Sequence, residues 1–185
     1  MYWWSNMAVP EYPSGQIIVP AATAYTCKNW EVYKVNVPEV DGNNIFHYES
    51  IPDQIDYFFD IPYECPKYIA NVNKDGYGLL QTSTRRLRAR KLFSWGHNEG
   101  PYIEIQAGLG KTQYGCLPMA PHTAWEWLEQ YGPVQLPQTT SSQDNCQYIE
   151  QHVSSEELER LLQTSASFAH QKAAVVSSGS PHGAM

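Results

Sequence analysis

The chain has 185 residues and a mass of 21.0 kDa, enough for one domain with its own core. Its 42 % hydrophobic and 17 % charged residues exclude a disordered chain, and no apolar run is long enough to span a bilayer as a helix. A net charge of −7 argues against nucleic-acid and anionic-membrane partners, because phosphate contacts need a surplus of Lys and Arg.

Six Trp and thirteen Tyr give an aromatic share of 13 %, which favours strands and also suits stacking of flat rings on sugars. The opening residues MYWWSN carry no basic region, apolar stretch or cleavage site, so no secretory signal is expected and the cytoplasm is the expected compartment. Tyr2, Trp3 and Trp4 arrive at once and need something to bury against. Gln16 to Val19 reads as a strand between the turn residues Glu11 to Gly15 and Pro20. Trp30 to Val37 reads as another, closed by Pro38 and the Asp41-Gly42 turn. Ile45 to Pro66, interrupted by Pro52, Pro62 and Pro66, reads as an ordered loop. Its Asp53, Asp56 and Asp60 lack the alternating ligands and glycine of a calcium loop, so neither metal nor cofactor is expected. Tyr68 to Asn71 and Gly78 to Thr82 flank Asn73-Lys74-Asp75-Gly76, a hairpin signal, because Asp-Gly accepts positive φ cheaply. Thr84 to Lys91 holds five positive charges in eight residues and reads as a strand with Arg86, Arg88 and Arg90 on one face, continuing to Trp95.

The stretch from Gly100 to Gly132 organises the rest. Tyr102, Glu104 and Gln106 alternate with Ile103, Ile105 and Ala107, so a period of two puts the carboxylate and the amide on one strand face. Such a pair is a polar floor for a hydroxyl-rich ligand, although an ordinary solvated strand shows the same alternation. The following Gly108-Leu109-Gly110-Lys111-Thr112 is no phosphate loop, since Ile105 stands where that motif needs its first Gly and no helix follows. His122 to Gly132, with Trp125 and Trp127 alternating with Glu126 and Leu128, reads as an extended strand. Residues 135–153 read as a linker, 154–176 as an amphipathic helix started by a Ser154 and Glu157 capping box, and 177–185 as a disordered tail. Cys27, Cys65, Cys116 and Cys146 form no C-x-x-C pair, so free thiols are expected.

YWWSNMAVPE, QIIVPA, DGYGLLQTSTRRLRARKLFSWG, YIEIQAGL and CLPMAPHTAWEWLEQYGP, in that order from Tyr2 to Pro133, resemble a bacterial domain family of unknown function. That family is classed with galactose-mutarotase-like proteins and is often fused to tetratricopeptide repeats. The resemblance implies an all-β fold: an antiparallel β-supersandwich over 1–134, a partial domain matching the C-terminal part of the family, followed by one C-terminal α-helix. It implies sugar or oligosaccharide as ligand. Aldose 1-epimerases, a more distant likeness, carry Leu-Glu-Thr-Gln where Ile103-Glu104-Ile105-Gln106 stands, which implies Glu104 as general base or nucleophile with Gln106 beside it. Arg86 or Arg88 would grip hydroxyls or a carboxylate, and Trp95, Trp125 or Trp127 would stack on the ring. The family's Asn-His segment would fall before Met1 or is replaced here by Tyr2-Trp3-Trp4-Ser5-Asn6, and His122 matches the proline-led turn; Asn6 and His122 join the substrate-binding set. The epimerases' acid, a His on an earlier strand, has no counterpart, and His47 lies in a different context. An isolated half-sandwich would expose sheet edges and an apolar face, so the missing N-terminal part of the domain or a self-associating copy is an expected partner. A non-catalytic interaction module beside helical repeats is the alternative.

Overall fold

A computed structural model describes residues 1–12, 14–51, 55–85, 87, 89–94, 102–137 and 141–174. The strands are β1 (Trp4–Pro10), β2 (Gln16–Ile18), β3 (Thr23–Lys28), β4 (Glu31–Asn36), β5 (Glu39–Val40), β6 (Asn43–Asn44), β7 (Ile55–Asp60), β8 (Lys67–Val72), β9 (Tyr77–Ser83), β10 (Ala89–Ser94), β11 (Tyr102–Gly108) and β12 (Glu129–Gln135). Two helices follow, α1 (Ser142–His152) and α2 (Ser155–Ala169). The strands form a six-stranded sheet in the order β1-β11-β10-β7-β3-β4, a four-stranded sheet in the order β12-β9-β8-β2, and the small β5-β6 ribbon. Every pairing is antiparallel.

Alternation sorts the side chains. Val9, Ala24, Tyr57, Phe59, Leu92, Ile103 and Ile105 from the larger sheet share one buried cluster with Ile17 and Ile69 from the smaller, which makes the core between two sheets. The opposite side of the smaller sheet presents Ile18, Tyr68, Ala70 and Val72. Leu136, Ile149, Val153 and Leu158 cover it, so the helices form a third layer over the apolar face that was expected to be exposed. The expected hairpin turn is present. Gly76 has φ +83, and Asn73 Oδ1 accepts from the backbone of Asp75 at 2.9 Å and of Tyr77 at 3.0 Å.

Four sequence expectations change. Ile45 to Pro66 is not a loop throughout, because it contains β7, an interior strand of the larger sheet. Pro62 follows that strand rather than breaking it, and Pro52 lies outside the described residues. The Thr84 to Lys91 strand begins only at Ala89, after a turn in which Leu87 N donates to Thr84 O. Arg90 turns into the interior, fully buried, instead of sharing a ligand face. The strand expected from His122 starts at Glu129, since His122 has φ +59 in a turn and Leu128 N is taken by Thr84 Oγ1 at 3.2 Å. Finally, the linker at 135–153 holds α1, capped by a Ser141 and Asp144 box, while α2 ends at Ala169, short of 176. The tail at 177–185 lies outside the described residues.

Candidate functional site on the outer face of the six-stranded sheet

β11 lies between β1 and β10, which places Gln106 opposite Asn6 and Lys91, and Glu104 opposite Ala8 and Phe93. Directly opposed residues share a face, so the register extends each pair into a row. One row runs Asn6, Gln106, Lys91, Phe58, Tyr25, Lys34 across all six strands, and the next carries Ala8, Glu104, Phe93 and Asp56. This face points away from the core. Phe58 is nevertheless fully buried, because Trp4 meets its ring edge at 5.5 Å between centroids and Tyr114 meets it at 5.7 Å.

A chain of side-chain contacts runs along these rows. Gln106 Nε2 donates to Glu104 Oε2 at 2.8 Å, and Gln113 Nε2 donates to Gln106 Oε1 at 2.6 Å. Lys91 Nζ donates to Gln113 Oε1 at 2.6 Å and pairs with Asp56 Oδ1 at 2.9 Å. Tyr114 Oη donates to Asp56 Oδ2 at 2.7 Å, and its phenol is held above the usual range, first by burial and then by that bond. Two amides thus carry the polarity of an ammonium to a carboxylate, each bond strengthening the next. The consequence falls on Glu104. Its Oε2 is fixed from behind, whereas Oε1 accepts no hydrogen bond among the described residues. Gln106 is only 4 % exposed, so it positions Glu104 rather than meeting a ligand.

The segment after β11 supplies Gln113 and Tyr114 because the chain folds back at once. Trp4 lies flat against Gly108, where a Cβ would fall inside its ring, so only glycine allows the approach. Beside this fold-back lies a cleft of about 650 Å³, lined by Tyr25, Asp60, Tyr63, Lys67, Lys111 and Trp125. Tyr25 and Tyr63 stand near cations, with Lys111 Nζ 5.6 Å from the first ring and Arg85 5.6 Å from the second. Asp60 is engaged by Lys34 at 2.9 Å.

The predicted residues therefore divide. Glu104, Gln106 and Asn6 come together on the outer face, with Asn6 exposed beside Gln106. Trp125 lines the cleft. Trp127 meets Trp3 at a tilt of 59°, 4.6 Å between centroids, and both Trp125 and Trp127 pack on a small apolar cluster with Leu87 and Leu109. His122 is exposed with no hydrogen-bond partner among the described residues. Arg86, Arg88 and Trp95 lie outside the described residues, as does Asp53. Among the described residues no histidine is hydrogen-bonded to Glu104: His152 Nδ1 meets Tyr148 O at 2.7 Å and His170 pairs with Glu126 at 2.8 Å. Sequence reasoning missed Lys91 and Asp56 as partners of this site, whose only signal was their parity with Gln106 once β7 and β10 are in register, and Gln113, which lies in the turn after β11 and carries no such signal. It also missed Lys67, which reads in sequence as an ordinary residue after Pro66. Among the described residues no cluster of three or more His, Cys, Asp or Glu is placed to hold a metal, all four cysteines are free, and no helix is long and apolar enough to cross a membrane. Compared with known proteins, the chain matches no family model, no curated protein and no solved structure.

Proposed function

We propose that this chain is a mutarotase-like β-sandwich that binds a saccharide on the outer face of its six-stranded sheet, with Glu104 accepting from sugar hydroxyls. The observation that carries the reading is the state of that carboxylate: one oxygen tethered by Gln106, the other open, on a strand held rigid between two neighbours. Two antiparallel sheets sharing a core, with Glu104 turned outward on an interior strand, support the supersandwich kinship. The exposed amide of Asn6 offers both a donor and an acceptor for neighbouring hydroxyls.

Binding, rather than turnover, is what these residues support. Opening a pyranose needs a base at the anomeric hydroxyl and an acid at the ring oxygen, on opposite sides of one carbon. Glu104 fits the first role. The described residues place no histidine against it, so an epimerase would need an acid from elsewhere.

Titration with a panel of mono- and oligosaccharides, read by tryptophan fluorescence with Trp4 as the local reporter, tests the proposal. Glu104→Gln keeps the tether from Gln106 and removes the charge, and a loss of about tenfold in affinity is expected for a charge-assisted contact. A folded protein whose fluorescence responds to no sugar would remove the reading. The second reading, an interaction module, has its own observation: Trp30, at φ +67 on the tip of the β3-β4 hairpin, is 95 % exposed. Self-association that rises with concentration, without sugar binding, would favour it.

A further inference from the structure

The cleft has a buried cation at its floor. Lys67 opens β8 and is 1 % exposed. Its Nζ donates to Ile61 O at 3.2 Å and to Pro62 O, two carbonyl dipoles that carry no formal charge. Among the described residues the ion pairs join Lys34 with Asp60, Lys91 with Asp56, Arg160 with Glu157 and His170 with Glu126, and none includes Lys67. Further positive charge converges there. The buried Arg90 donates Nη2 to Lys67 O at 2.7 Å, and Arg85 stands over Tyr63. Burial pushes the Lys67 ammonium down to about 8. Cys65 pulls against that shift, Arg90 adds to it, and Glu64, which forms no ion pair with Lys67, opposes it more weakly; the Tyr63 ring stands 6.0 Å from the ammonium. A buried charge without a counter-ion is costly, and an ammonium has three N–H donors, of which two are used here.

We infer that the cleft over Lys67 takes the carboxylate or phosphate of an acidic saccharide, with Lys67 as its buried counter-ion, Lys111 at the rim, and Tyr25, Tyr63 and Trp125 beside the ring. The cleft is not lined by Glu104 or Asn6, so the inference goes beyond the binding proposed at Glu104; it rests on the saccharide reading for the ring, whereas the anion half stands on Lys67 and the cleft. The charge balance of the lining agrees: its carboxylate, Asp60, is engaged by Lys34, which leaves Lys67 and Lys111 as the charges offered to a ligand. The aromatic walls suit the C–H face of a pyranose, and the volume suits one or two sugar rings.

The test is calorimetric titration of wild type, Lys67→Met and Lys111→Met, each as the full chain, with glucuronate, glucose 6-phosphate, glucose and inorganic phosphate. Lys111 is exposed, so its variant reports on the cleft even if Lys67→Met folds poorly. The expected result is that one acidic sugar binds at least about tenfold tighter than glucose. Lys67→Met removes that advantage and Lys111→Met reduces it, and the stronger of the two acidic ligands tells carboxylate from phosphate. Inorganic phosphate bound in a Lys67-dependent way, with no sugar bound, would support the anion site and remove the sugar ring from this cleft. Glucose binding as tightly as both acidic sugars, unaffected at Lys67, would overturn the inference and leave the saccharide reading standing. Binding of none of the four would overturn the inference, and the wider saccharide panel then decides the reading at Glu104 by itself.

Discussion

Replacing Lys67 with methionine asks whether the fold carries an uncompensated charge, and the answer is written in the pH dependence of stability. The amine has an ordinary pKa of 10.5 and stands near 8 in the folded chain. Between those values the unfolded chain still holds the proton and the folded chain has released it. The unfolded state binds more protons there, so stability rises with pH. Integrated from pH 7 to about 9.5, a shift of this size amounts to about 2 kcal/mol. With a urea dependence of about 2 kcal/mol per molar, the midpoint moves up by about 1 M. Tyr48 and Tyr57 act the other way, since burial raises both phenols to about 12 and their stabilising share falls as pH rises past 10. The comparison is therefore kept at pH 9.5 and below, and read as wild type minus variant. Methionine keeps the apolar stem but leaves the carbonyl of buried Ile61 without its donor, a cost of about 1–3 kcal/mol that does not depend on pH. At pH 7 this offsets the relief from losing the charge, so the two proteins unfold at similar urea concentrations. At pH 9.5 wild type is the more stable. Urea unfolding followed by tryptophan fluorescence at pH 7, 8, 9 and 9.5 measures it, and parallel pH profiles for the two proteins would refute the reasoning.

Two further outcomes probe the scaffold. Gly108→Ala drives a methyl into the Trp4 ring and forces that ring off Phe58, so an overpacking loss of about 1–3 kcal/mol is expected, seen as a lower thermal midpoint. An unchanged midpoint would mean Trp4 is not held there. Ser141→Ala removes the side chain that accepts from Asp144 N and should cost about 1 kcal/mol, with exchange of the α1 amides accelerated relative to those of β11. Equal protection in both proteins would show that α1 is held by packing alone.

Much of the fold was legible where a strand alternates in sequence or a turn motif marks a hairpin. β2, β4, the β8-β9 hairpin and β11 each show either period-two alternation or a turn with a glycine at positive φ, and each forms. β7 failed because it is covered on both sides. Tyr57 and Phe59 face the core while Phe58 lies under Trp4 and Tyr114, so the alternation disappears into a continuous aromatic run. α1 failed for a different reason. Its cap uses Asp144 in place of Glu, and Gln, Asn and Glu dilute the stripe of Cys146, Ile149 and Val153 until it resembles a linker. At the site, Glu104 and Gln106 were legible because they belong to one strand. Lys91, Asp56 and Gln113 were not, because nothing local says that three separate segments will meet in register.

Burying cations in an acidic chain follows from the topology at one end of the sandwich. The segment from Ile61 to Pro66 carries the chain from β7 in one sheet to β8 in the other, and a crossing strand of this kind leaves carbonyls with no ladder partner. Lys67 takes Ile61 O and Pro62 O, while Arg90 takes Leu87 O at 3.1 Å, Lys67 O at 2.7 Å and Ser83 Oγ at 2.6 Å. Both therefore serve the corner. They differ in what remains. Arg90 sits wholly inside the core and distributes its guanidinium over several acceptors, which marks it as structural. Lys67 faces the cleft with a donor to spare, and that difference makes the same corner both a brace between the sheets and a place where an anion lowers the cost of the charge beneath it.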